Sequence, residues 1–354
     1  MPKSIEEKIT LYIVLFFSSS NIIYSYNLLG DVMLKKMSLR KISIATLALF
    51  TMTLIYFMPE SKSQLKYTIK DEDIEYVYNN TKSVVYLLDS NNYIARTNIP
   101  GSEKDIITQA KKVISSLIID GDTTEDLPNG FRAIIPSGTE IKDISLKDKI
   151  LTINFSKELL DINKKYEEKM LEAIIYTLTS IDGVEKIILQ VEGTILKQLP
   201  NSKKDIPAIL TKKYGINKEY DINEVHNIDS YTVYYVSKYN DTKYYVPITK
   251  YINNKNNDKV KVIIDELSAS PIYESNLMSY LNANTTLINY EEKNDILELN
   301  FNEDILDTKS SNKILEEVIY TISLSLEDNY TNLKEVNFLV NNKQIYKNSL
   351  KSIE

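Results

Sequence analysis

The segment ILTINFSKELLD, residues 150–161, returns as ILELNFNEDILD, residues 296–307, with six of twelve positions identical and the same apolar pattern. A unit written twice must bury its apolar face twice, so the repeat fixes the architecture more firmly than any other feature. The elements around it recur in the same order. A β-rich run with turn residues at 89–92 (83–99), an amphipathic stretch (102–121), a second alternating run turning at 147–149 (139–155), another amphipathic stretch (167–183) and a β-rich run (184–193) follow one another. Residues 231–249, 258–270, 286–301, 311–326 and 333–342 repeat them at a spacing near 144–151 residues. Period-two and helical-period patterns in this order predict hairpin, helix, hairpin, helix, strand in each copy. A repeat of this length is a duplicated domain rather than a solenoid of short units.

The expected fold is α+β, with two tandem homologous domains, each a small sheet carrying two helices on one face. Leu151, Ile153 and Phe155 share one strand face, with Thr152 and Asn154 opposite; Leu297, Leu299 and Phe301 take their places in the second copy. Burying each such side chain contributes about 1.5–3 kcal/mol. Ser156 and Asn302 are placed to cap the turns that follow. Ser102 and Gly121 are read as bounding the first helix. The organisation expected is a segment at 1–41, a membrane anchor at 42–58, a stalk at 59–80, a first domain at 81–198, a connector at 199–229 and a second domain at 230–354.

Residues 42–58, ISIATLALFTMTLIYFM, hold no charge and follow the basic run KKMSLRK at 35–41. As a helix they span about 26 Å, near the minimum for a bilayer core. Lys35, Lys36, Arg40 and Lys41 hold the upstream side in the cytoplasm, which places residues 59–354 outside. MPESKS after the span lacks a small-x-small cleavage site, so the anchor is read as uncleaved. The run at 9–17 is too short for a confident span, and translation is expected to start at Met33 rather than Met1.

The net charge of −7 divides into +3 over residues 1–41 (six basic, three acidic) and −10 beyond them (36 basic, 46 acidic). That sign, without a basic stripe, argues against nucleic acid as a partner. The absence of cysteine excludes disulfides, thiol nucleophiles and thiolate metal sites. His226, in EVHNID, has no metal-ligand spacing around it and is read as a linker residue. Glu158 and Asp161, matched by Asp304 and Asp307, have the look of carboxylate pairs for acid–base chemistry or calcium, but no calcium loop surrounds them. A solvated turn explains them. Thr177 and Thr321, on the stripes of the two later helices, are expected to bond back to carbonyls four residues earlier. The tyrosine runs at 234–236 and 244–246 are read as sheet packing. No catalytic, cofactor-binding or metal residue is expected.

Residues 130–161 and 172–193 resemble the GerMN family of sporulation and spore germination domains. Pro136, Gly138, Thr139, Asn154, Phe155, Ser156, Thr177, Val191 and Gly193 match its pattern, and Arg96 fits the end of its first hairpin. Residues 199–221 resemble the link between its tandem copies. The second copy departs from it, with Asn282-Ala283-Asn284-Thr285 for the Pro-x-Gly-Thr turn and Asn341-Asn342 for the terminal Gly. The resemblance covers roughly residues 80–348 and implies ring-building-motif-like domains in a non-enzymatic assembly or scaffold factor. The implied partners are protein components of the channel complex between mother cell and forespore, with no small-molecule substrate. Residues 59–354 would then lie in the intermembrane space. The family's namesake is commonly a lipoprotein; this chain has no lipobox cysteine, and a transmembrane helix substitutes for it. Two other readings stand beside this one: an accessory or sensor module of an envelope signalling system, and a cell-wall glycan hydrolase using Glu158 and Asp304.

Overall fold

The computed structural model of the protein describes residue 49 and residues 82–253, 258–269, 276–307, 313–330 and 332–350. The segment at 1–41, the anchor at 42–58 apart from Leu49, the stalk at 59–80 and the Met33 start lie outside the described residues. Among the described residues no helix is long and apolar enough to cross a membrane. Residues 77–354 form one compact unit.

Each copy follows the expected order. In the first, hairpin β1 (Lys82–Asp89) and β2 (Ile94–Pro100) leads to α1 (Ile106–Ser115) and a two-residue strand β3 (Phe131–Arg132). Then come hairpin β4 (Ile141–Lys147) and β5 (Ile150–Phe155), α2 (Glu167–Leu178), β6 (Lys186–Val191) and β7 (Thr194–Ile195). A short strand β8 (Glu219–Asp221) lies in the connecting segment. The second copy comprises β9 (Ile228–Tyr239), β10 (Thr242–Asn253), α3 (Lys259–Ser268), β11 (Leu287–Lys293), β12 (Ile296–Phe301), α4 (Glu316–Asn329), β13 (Glu335–Val340) and β14 (Lys343–Ser349).

The small sheet expected for each copy is divided in two. One part is a four-stranded sheet, β4-β5-β6-β7 or β11-β12-β13-β14, in which β5 and β6, or β12 and β13, run parallel across the intervening helix. The other part, the leading hairpin, stays packed in its own copy's core and also joins a six-stranded sheet shared by both, with β3-β1-β2-β10-β8 in order and β9 paired to β10. Two hydrophobic cores result. Leu151, Ile153 and Phe155 are fully buried in one, and Leu297, Leu299 and Phe301 in the other.

Turn chemistry matches between copies even where the residues differ. Asp148-Lys149 and Asn294-Asp295 all have positive φ, the two-residue turn whose twist suits a hairpin. Glu192-Gly193 is matched by Asn341-Asn342 at φ 48° and 66°, a conformation asparagine tolerates, so the missing glycine leaves the turn intact. Thr139 N–H donates to Pro136 C=O, and Thr285 N–H donates to Asn282 C=O; the divergent segment makes the same turn. Some expectations are corrected. Asp105, not Ser102, caps α1, accepting from Thr108 N–H at 2.8 Å. That helix stops at Ser115, because Ile119 N–H is used by Ile135 C=O. Ser156 and Asn302 make no cap bond. Their side chains instead accept from Glu140 N–H (2.9 Å) and Thr286 N–H (3.0 Å), tying down the start of each four-stranded sheet.

Candidate functional site

The residues that invited a catalytic reading do not converge. Glu158 sits in the 3-10 turn Lys157–Asp161, where a bond from the Ser156 side chain holds its carboxyl below the usual range. Asp304 accepts from Asn302 Nδ2 at 2.8 Å in the corresponding turn of the other copy. Asp161 is exposed, and Asp307 N–H donates to Lys313 C=O. His226 is exposed and its carbonyl accepts from Asn253 Nδ2. Among the described residues no group of three or more His, Asp or Glu is placed to hold a metal ion.

Thr321 bonds back as expected, to Glu317 C=O at 2.8 Å. Thr177 does otherwise: its hydroxyl accepts the N–H of Tyr86 on β1 at 2.9 Å. The hydroxyl doing this in the second copy is Ser325, which accepts from Tyr234 N–H at 2.9 Å. Both pairs are 91 residues apart. Thr177 is therefore equivalent to Ser325, one helical turn beyond Thr321, and the helices are offset by a turn relative to their sequence match.

Of the tyrosine runs, Tyr234, Tyr235 and Tyr244 are buried and Tyr245 is half-buried; Tyr235 bonds Glu266 within its own copy, while Tyr234, Tyr244 and Tyr245 lie at the joint between the copies. There β2 and β10 meet antiparallel at a single pair, Arg96 opposite Tyr245. Beside that pair the strands diverge and Asn217 fills the gap. Its amide accepts from Ile94 N–H (2.9 Å) and donates to Ile94 C=O (2.7 Å) and Pro247 C=O (2.8 Å). Backbone groups that would otherwise be buried and unpaired are thereby satisfied.

Across the joint the equivalent tyrosines Tyr86 and Tyr234 touch hydroxyl to hydroxyl at 2.8 Å. Tyr234 donates to Asp328 at 2.6 Å, so its oxygen accepts from Tyr86. Asp328 also receives Lys212 Nζ at 2.5 Å, with 3% and 26% of the two side chains exposed. Burial alone would depress the Lys212 ammonium, but the Asp328 carboxylate carries it above its ordinary value. Burial, then the Asp328 charge, push Tyr234 and Tyr176 well above the phenol range. Tyr176 Oη donates to Lys212 C=O, and its ring meets Tyr86 edge-on at 5.4 Å.

Three further polar groups flank this centre. Buried Asp89 accepts from Tyr244 Oη at 2.9 Å, burial raising Asp89 and pushing Tyr244 up to about 12. Lys218 lies 2.7 Å from Glu168 and 3.2 Å from Glu172, the latter raised by burial. Glu266 gathers Tyr231, Tyr235 and Lys250. These acids are spent on hydrogen bonds and ion pairs inside the fold. The segment at 199–229 is thus part of the joint rather than a tether: it supplies Lys212, Asn217 and Lys218. Sequence patterning gave no sign of these. One signal did exist, in Glu327 and Asp328, acids in the last turn of α4 where the helix dipole disfavours them unless a cation compensates.

Comparison with known proteins identifies the architecture. Residues 84–197 and 232–346 match the family model Germane, described as sporulation and spore germination. The chain belongs to that family. It is 31% identical over 263 residues to the spore germination protein GerM of Bacillus subtilis (strain 168), spanning 73% of this chain and 71% of that one. The solved tandem GerMN domains of the sporulation protein GerM from Bacillus subtilis superpose with a TM-score of 0.68 at 31% identity, over 74% of this chain and 91% of theirs. The tandem GerMN arrangement is therefore a shared feature, and the Asn341-Asn342 and Asn282–Thr285 departures are variations in turns.

Proposed function

We propose that this Germane-family chain is a non-enzymatic sporulation protein, an assembly or scaffold factor for the channel complex between mother cell and forespore. The observation that carries this reading is the joint itself. Two cores are fastened by Asp328, Lys212, Asn217 and paired tyrosines into one body, which holds two similar four-stranded sheets at a set spacing. Such a body suits docking of protein domains better than turnover of a substrate, and its tandem relative is a sporulation protein. In this proposal residues 42–58 anchor the chain, residues 59–354 lie outside the cytoplasm, and the domains are ring-building-motif-like. The partners are protein components of the channel complex.

Deletion is expected to block spore development and leave vegetative growth untouched; a normal spore yield overturns the proposal. Replacing residues 33–58 by a cleavable secretion signal is expected to release the protein from membranes. A protein that stays membrane-bound after this exchange refutes the anchor.

A further inference from the structure

A cleft of about 410 Å³ opens on the first copy, between the start of α2, the tip of the β1–β2 hairpin and the connecting segment at 217–220. Its volume lies in the range of small-molecule sites, roughly 300–1,000 Å³. Two features of its lining are not explained by the joint. The first is Tyr220, 63% exposed, whose ring stacks on Tyr251 at 4.8 Å and 15°. One face of Tyr220 is backed by a second ring and contributes nothing to either core. The second is a pair of lysines with no carboxylate at ion-pair distance. Lys218 already has Glu168 and Glu172, and Glu168 also takes Lys204. Glu219 lies 3.5 Å from Lys250. Lys169, by contrast, donates to the neutral carbonyl of Asn92, and burial holds its ammonium below the ordinary range. Lys165 stands 5.2 Å over the Tyr166 ring. Neither has an ion-pair partner among the described residues.

Glu172 and Asp89 offset Lys169 only from beyond ion-pair distance, so an aromatic face and two cations with room for a direct anionic contact call for a ligand with a flat C–H face and an anion. The C–H bonds of a pyranose face carry partial positive charge that suits the negative face of a phenol ring. A carboxylate suits a half-desolvated ammonium, which gains more from an anion than from a carbonyl. We propose that this cleft binds a carboxylate-bearing sugar, with the ring on Tyr220 and the carboxylate on Lys169 and Lys165. This goes beyond the scaffold reading and does not depend on it.

The test is calorimetry and ligand-observed NMR on the full-length protein with N-acetylmuramic acid, N-acetylglucosamine and D-lactate, which separate ring from carboxylate. N-acetylmuramic acid is expected to bind about tenfold or more tighter than either fragment, the worth of one added ion pair or stacking contact. Tyr220→Ala and Lys169→Gln should each weaken it by about tenfold, while Tyr290→Ala, an exposed tyrosine on β11, leaves it unchanged. If Lys169→Gln fails to fold, the exposed Lys165→Gln takes its place. Equal binding of N-acetylmuramic acid and N-acetylglucosamine, no binding of any probe, or wild-type binding by Tyr220→Ala overturns the proposal. Sporulation assays read the scaffold function separately.

Discussion

Tyr86→Phe and Tyr234→Phe make the same chemical change at equivalent positions, yet the structure requires unequal costs. Both rings are buried, 2% and 1% exposed, so neither lost hydroxyl is replaced by water. Among the described residues Tyr86 Oη has one side-chain hydrogen bond, to the Tyr234 oxygen at 2.8 Å. Removing it leaves Tyr234 still donating to Asp328, so only one neutral bond is lost, about 1 kcal/mol. Removing Tyr234 Oη breaks that bond and the 2.6 Å charge-assisted bond to Asp328, and it strands the Tyr86 hydroxyl in a dry site. Asp328 keeps Lys212, which limits the damage. A charge-assisted bond is worth about 1.5–3 kcal/mol and an orphaned buried hydroxyl adds to it, so about 2–4 kcal/mol is expected. Urea unfolding of both variants and the double variant measures this. The double variant should cost no more than Tyr234→Phe alone, because the orphan disappears with it. Equal single costs, or a larger cost for Tyr86→Phe, would show that the proton order drawn here is wrong.

Thr177→Val and Ser325→Ala should each cost about 1–3 kcal/mol by orphaning a strand N–H, whereas Thr321→Val costs under about 1 kcal/mol because its hydroxyl serves only its own helix; thermal melts rank them. Asn342→Gly suits the positive φ but removes the Oδ1 that accepts from Asn300 Nδ2 at 2.8 Å, so it should cost about 0.5–1.5 kcal/mol, and Asn342→Ala about 1 kcal/mol more, by the same melts. Asn217→Ala removes three bonds at the joint and should cost about 2–4 kcal/mol, read from the urea midpoint. Alkali should destabilise the fold. Tyr231, Tyr234 and Tyr235 are raised by burial and then by nearby carboxylates, so above about pH 10 the unfolded chain sheds protons that the fold retains. Lys212, raised by Asp328, acts in the same direction: its contribution is whole below the unfolded value and is lost as pH rises through the folded one. The urea midpoint should therefore fall from about pH 10 upward, and Tyr231→Phe with Tyr235→Phe should reduce the slope; a flat midpoint to about pH 11 counts against this account.

Much of the fold was legible because alternation and turn chemistry are local. Leu151, Ile153 and Phe155 declare a buried strand face, and residues 147–149 declare a turn, which the structure narrows to Asp148-Lys149. The joint was not legible, for a physical reason. Lys212 and Asp328 are 116 residues apart, and a lysine in a polar connector looks solvated until its partner is located. Alternation reports which side of a strand is buried, not which strand lies beside it, so the joining of the two hairpins through β2 and β10 left no mark. Identity even misled in one place: EAIIYTL and EEVIYTI align Thr177 with Thr321, while hydrogen bonding to the strand edge pairs Thr177 with Ser325. The cleft at Tyr220 escaped for a similar reason, since its walls come from three separate segments.

The shared sheet also explains why the unit is used in pairs. A hairpin on its own presents backbone edges that template further pairing, a liability that has to be closed. Here the inner edge of β2 is closed by β10 at Arg96 and by the Asn217 side chain. The inner edge of β10 beyond that point is closed by β8 from the connector. The outer edges are closed differently. On β9, the outward-facing positions Thr232, Tyr234 and Val236 are satisfied in turn by Asn329, Ser325 and the backbone of Met278. On β1, Tyr86 is satisfied by Thr177 and Leu88 pairs with Arg132. Because helix side chains end the ladder on both sides, a third hairpin cannot add to it without displacing them. The pair is complete in that direction, so under the scaffold proposal a docking protein would have to use other surfaces. The end strands β4 and β11 of the two four-stranded sheets are the first places to look, and β11 presents Ile288 and Tyr290 to solvent.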